Sequence, residues 1–261
     1  MVEKAIVFIG HSHLNPIRDG LTRLSPVEDA PGTRARFYVH NVWAKNAQDA
    51  DSDPAGGVAF NPDVLSLINA TVPANMARHY VSVLGGNGHI VLALSKHPEP
   101  FDFVLPESPT LPLEVGAELI PFEYFLETLK PFLMPYVWQM IAFRQAIGER
   151  IICVETPPPY GDDAYVASHL GSYVPDPNNV VSRYLRYKAW RAHSHLLRIF
   201  CEAHDVEFLP APAESVDEEG FIKPEAYGSD ATHANWWYGQ LVARQIEQRF
   251  GVVYSGWQLF S

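Results

Sequence analysis

Ala5-Ile6-Val7-Phe8-Ile9, followed at once by Gly10-His11-Ser12-His13, is the stretch on which the fold turns. Five apolar residues with no polar alternation, three of them β-branched, describe a strand buried on both faces. Such strands belong to parallel sheets covered by helices on either side. Similar short runs recur at 36–42, 80–84, 151–154 and 206–209, and longer segments of helical period lie between them. The clearest is 182–202, where Leu185, Ala189, Ala192, Leu196 and Ile199 form one stripe and Arg183, Arg186, Arg191 and Arg198 the polar side. A second, 234–250, carries Tyr238, Val242, Ile246 and Phe250 and stops at Gly251, with Thr232 as its expected N-cap. Asn61-Pro62-Asp63 suits the start of a third. The order predicts a three-layer α/β/α sandwich around a parallel sheet of about five strands.

The 261 residues are 47% hydrophobic and carry 19 Lys+Arg against 30 Asp+Glu, a net charge of −11. That balance disfavours a phosphate-backbone partner, since no basic cluster offsets it. The longest apolar stretch, 132–143, is broken by Pro135 and Gln139 and is too short to span a bilayer. Residues 1–10 lack the apolar core of a signal peptide, and Cys153 and Cys201 have no metal-site spacing, so a cytoplasmic protein is expected. Nothing divides the chain. A single domain over 1–261 is expected, with irregular insertions near 95–113, 156–179 and 210–232, the first rich in proline and running over the surface.

Three segments carry chemistry. Gly10-His11-Ser12-His13 follows the first strand, Gly85-Gly86-Asn87-Gly88-His89 the third, and Asp230-Ala231-Thr232-His233 precedes the last helix. In a parallel sheet all three converge on one edge, beyond the strand carboxyl ends. A serine needs a base to become a nucleophile, the base needs an orienting acceptor, and the oxyanion needs donors. Ser12, His233, Asp230 and Asn87 supply one of each.

These blocks, in this order and context, resemble the SGNH hydrolases, or GDSL-type esterases, over nearly the whole chain. The resemblance implies a flavodoxin-like sandwich and ester hydrolysis on small molecules, sugars or lipids without a cofactor or metal. It places the nucleophile and first oxyanion donor on Ser12, the oxyanion asparagine on Asn87, the acid–base pair on Asp230 and His233, and the second-block backbone donor on Gly57. His233-Ala234-Asn235 resembles the family's His-Pro-Asn, and Thr156-Pro157-Pro158-Pro159 a proline-rich turn that many members carry. The family's aspartate beside the nucleophile is His11 here, and its residue after the asparagine is Gly88. His11 and His13 flank Ser12 and are expected to line the substrate site. A charged His11 would disfavour protonated His233 and so tune the site near neutral pH.

Other readings use the same residues. His11, His13 and His89 could hold a metal for hydrolysis, and the triad could transfer an acyl group to an acceptor other than water. A binding module could also keep the fold without the chemistry. His193 and His195, two apart on one helix, read as structural. Tyr160, Tyr165 and Tyr173 could form a lid or sugar platform.

Overall fold

The run at 5–9 forms the centre of β1 (Lys4–Gly10) in the computed structural model, which describes residues 3–26, 31–42, 60–170 and 179–260. β1 lies parallel between β2 (Thr33–Asn41) and β3 (Ala77–Val83). Beyond β3 follow β4 (Ile151–Val154) and β5 (Val206–Leu209), also parallel. The sheet has six strands rather than about five, in the order β5-β4-β3-β1-β2-β6. β6 (Val252–Phe260) pairs in parallel with β2. Its apolar run is broken by Ser255, Gly256 and Gln258, and Gly256 (φ 145°) sits where the register slips opposite Ala35 and Arg36. An irregular edge strand of this kind lacks the period that marked the others.

Both faces of the sheet are covered. Ala5, Val7 and Ile9 join the core formed with α2 (Pro62–Thr71), α4 (Phe122–Ile147) and α6 (Arg183–Ala203). Ile6 and Phe8 join the opposite core with α1 (Leu14–Leu21) and α7 (Trp236–Phe250). The period-two alternation thus feeds two cores, and each fully buried Ile or Phe contributes about 1.5–3 kcal/mol. α3 (His89–Ala93) and α5 (Asp163–Ser168) are short. No helix among the described residues is long and apolar enough to cross a membrane.

Helix starts follow side-chain capping. Asn61 accepts from the Asp63 amide at α2, and Ser182 from Leu185 at α6. At α7 the cap is Asn235, accepting from the Trp237 amide, and not Thr232, because the Asp230–His233 turn intervenes before the helix begins. α6 departs from its expected faces at two points, Arg186 being buried and Ile199 45% exposed, and Lys188 is buried as well. Arg186 is buried by the segment after β4, where it donates to the Tyr160 carbonyl and to Asp163 Oδ1, and Lys188 by the 95–113 insertion and its neighbours, which pack onto the helix rather than running over the surface. Phe103, Leu105 and Asp102 are buried there, and a two-residue ribbon pairs Phe101–Asp102 with Glu118–Leu119. Lys188 Nζ donates to Asp102 Oδ1 (2.5 Å) and to the Pro112 carbonyl, while the Phe103 and Glu114 amides donate to the same carboxylate. With both charges buried and their bonds satisfied, loss of either partner alone would cost about 3–5 kcal/mol.

Candidate active site

β1 and β3 meet at the point where the chain order across the sheet reverses, and their carboxyl ends open the crevice in which doubly wound sheets bind ligands. Ser12 stands in the turn from β1 into α1, and Asn87 in the turn from β3 into α3. Gly86 makes the second turn with φ 64°, where a Cβ would press against the Tyr136 ring at 2.4 Å. His233 is delivered by α7, which packs on α1 at a backbone-to-backbone crossing. A Cβ on Gly239 would lie 1.8 Å from the Pro16 carbonyl oxygen, and one on Gly20 2.6 Å from the Gln240 nitrogen. Two glycines therefore let the nucleophile's helix and the base's helix touch.

Ser12 Oγ lies 2.8 Å from His233 Nε2, and His233 Nδ1 lies 2.8 Å from Asp230 Oδ2. With its proton on Nδ1, where the carboxylate accepts it, the imidazole leaves Nε2 to accept from the serine hydroxyl. The other carboxylate oxygen accepts from the Thr232 and His233 amides at 2.7 and 2.8 Å. Partial burial raises the Asp230 pKa, but the His233 side chain and these two amides outweigh it and hold the carboxyl well below the usual range. Asp230 stays ionised throughout ordinary assay conditions. The loops after β4 and β5 brace the base from behind. Tyr160 Oη donates to the His233 carbonyl (2.5 Å) and accepts from the Gly228 amide (2.9 Å), and Tyr165 Oη donates to the Gly228 carbonyl. Tyr160 and Tyr165 thus face inward, Tyr160 stacked on Tyr227 and Tyr165 tilted against it, instead of forming an open platform. Tyr173 lies outside the described residues, as does Gly57.

In fold the chain is similar to solved esterases and lipases. One is a GDSL-like lipase from Bacteroides thetaiotaomicron, 11% identical over 95% of this chain and 88% of that chain, with a TM-score of 0.42. Others are a carbohydrate acetylesterase from Sinorhizobium meliloti (13%, 95% and 98%, TM-score 0.40) and the native aryl esterase of M. smegmatis (14%, 96% and 100%, TM-score 0.40). No family model matches the chain, and no curated protein matches it in sequence.

The histidines beside Ser12 are placed differently from what the sequence suggested. His11 and His13 are 5% and 7% exposed and stand behind the serine, not open to solvent. His11 packs edge-on against Tyr136, and burial, opposed by its Gln139 contact, lowers its pKa from 6.5 to about 4. It is neutral near pH 7, so it does not act as a charged tuner of His233 there. His13 lies 4.7 Å from His233, ring centre to ring centre, and burial with that neighbour lowers it to about 3. His89 instead faces His193, 5.0 Å away. Among the described residues no group of three or more His, Cys, Asp or Glu side chains is disposed to hold a metal ion.

The cluster of His11, His13, His89 and His193 has a consequence for stability. Burial lowers His193 to about 4 and His89 well below 6.5. In the unfolded chain these groups take up protons as pH falls through about 6.5, whereas the folded protein resists until about pH 4. The unfolded state therefore binds more protons in that window, and stability falls as pH falls. The urea midpoint is expected to drop steadily from pH 7.5 to pH 4.5; a midpoint constant over that range would show that the cluster carries no such linkage.

The sequence reading missed Glu155, Tyr238 and His193 as neighbours of the site. Glu155 was legible in principle, since a carboxylate directly after β4 stands at a strand carboxyl end. His193 carried no such signal, because only the packing of α6 against α3 brings it beside His89.

Proposed function

We propose that the chain is a serine esterase of the SGNH type, hydrolysing carboxylic esters through an acyl-enzyme. The observation that carries this reading is the continuous line from Asp230 Oδ2 through His233 to Ser12 Oγ, with both contacts at 2.8 Å. In the first step Ser12 Oγ attacks the ester carbonyl while His233 Nε2 takes its proton. The imidazolium that forms is stabilised by the Asp230 carboxylate. Charge developing on the carbonyl oxygen is met, on this reading, by the Ser12 amide and the Asn87 side-chain amide. His233 then protonates the leaving alkoxide. Water, deprotonated by the same nitrogen, releases the carboxylic acid and restores Ser12. No step needs a cofactor.

A narrow pocket adjoins Asn87 and Thr232, walled by Ile90, Ala93, Leu94 and Pro157, with free space of only about 20 Å3. A recess of that size favours a short acyl group. Incubation with p-nitrophenyl acetate is expected to release p-nitrophenol, and a fluorophosphonate to stop the release by forming one adduct, mapped by mass spectrometry to Ser12. An adduct on another residue, or turnover unaffected by the reagent, would remove the serine-esterase reading.

A further inference from the structure

Beside His13, whose ring packs against His233, lies a small cavity with about 10 Å3 of free space, room for one water. Its walls are mostly apolar or backbone, but His13, Glu155 and Tyr238 face it, each at most 7% exposed. Tyr238 Oη and Glu155 Oε1 are buried and have no hydrogen-bond partner among the described residues. Glu155 Oε2 is already engaged, accepting from the Ala211 amide at 2.8 Å. Across the ring of His13 stands Asn87, close enough to favour the protonated imidazole, and its Oδ1 is likewise buried without another partner. Leaving four such groups unpaired would be costly, each by the desolvation of a polar atom.

One arrangement satisfies all four. We propose that His13 is a positioning residue that fixes the orientation of the Asn87 amide: one ring N–H donates to Asn87 Oδ1, and the other ring nitrogen accepts from a water held between Glu155 and Tyr238. In this arrangement the water donates to His13 and to Glu155 Oε1 and accepts from Tyr238 O–H, so every donor and acceptor is matched. The consequence lies in the direction of the amide. With Oδ1 held by His13, Asn87 presents Nδ2, its donor end, to the oxyanion; flipped, it would present an acceptor to a negative charge. Burial keeps His13 neutral, as a ring with one donor and one acceptor must be.

The inference rests on the esterase reading for its kinetics but not for its spectroscopy, and the test uses both. His13→Phe keeps the ring's bulk and removes its nitrogens, and Tyr238→Phe removes one oxygen from the cavity. In the amide spectrum of the 15N-labelled full chain, the Asn87 side-chain resonances, assigned by their loss in Asn87→Ala, are expected to move in His13→Phe. The His13 ring nitrogens are expected to show a single neutral tautomer that Tyr238→Phe perturbs. In kinetics, His13→Phe is expected to lower kcat about 10- to 100-fold with KM nearly unchanged, less than the roughly 10²–10³-fold cost of losing an oxyanion donor outright, because the Asn87 amide is freed to turn rather than removed. The double variant with Asn87→Ala should be no slower than Asn87→Ala alone, since both remove one interaction. Losses that multiply, a change confined to KM, or unmoved Asn87 resonances would each overturn the proposal. If the wild-type chain hydrolyses no ester, the esterase reading falls, and the resonances still decide whether His13 holds Asn87.

Discussion

Ser12→Ala is expected to abolish measurable ester hydrolysis, lowering kcat by about 10⁶-fold, the scale on which loss of a triad serine or histidine acts. The size follows from the geometry. Ser12 Oγ is the group that His233 Nε2 can activate, at 2.8 Å, and without it the site retains only binding and whatever oxyanion donors remain. Ser12 is partly exposed in a turn and contributes no core packing, so the variant should melt at the temperature of the parent. His233→Ala should lose activity on the same scale, and the two losses should not multiply, because the pair acts as one unit. Turnover of p-nitrophenyl acetate by purified variants checks this. Ser12→Ala retaining more than a hundredth of parental activity would remove it from the role of nucleophile.

Asp230→Asn is expected to cost about 10⁴-fold in kcat, with a smaller effect on KM. The carboxylate makes two kinds of bond, and the substitution separates them. One oxygen can go on accepting from the Thr232 and His233 amides, so the turn before α7 should persist. The other end becomes an amide that can present N–H to Nδ1, which turns the imidazole to the tautomer with its proton on Nε2 and leaves it unable to accept from Ser12. Because Asp230 is ionised well below the range of an ordinary assay, the acidic limb of the parental kcat/KM profile should follow a single ionisation. Two ionisations on that limb, or an Asp230→Asn enzyme within tenfold of the parent, would mean another group orients His233.

The parts of the fold that were legible in the sequence are those in which period and burial coincide. β1 could be read from five apolar residues because both its faces meet helices, and α7 from its stripe and Gly251. β6 escaped because Gly256 interrupts its run at the sheet edge. The burial of Arg186 and Lys188 was illegible for a different reason: partners distant in sequence turn them inward, Tyr160 and Asp163 for Arg186 and Asp102 for Lys188. In the site, Ser12, Asn87, Asp230 and His233 could be named from their places at element ends, since topology alone brings those ends together. What surrounds them could not. Whether His11 faces solvent or Tyr136 depends on the placement of α4, which no local pattern encodes.

Ser12 and His233 stand 221 residues apart in the chain and are joined through the glycine crossing of α1 and α7. Synthesis on the ribosome therefore delivers the hydroxyl 221 residues ahead of the imidazole. Until α7 has settled against α1, Ser12 lacks the imidazole that stands 2.8 Å from it in the finished fold and is an ordinary alcohol.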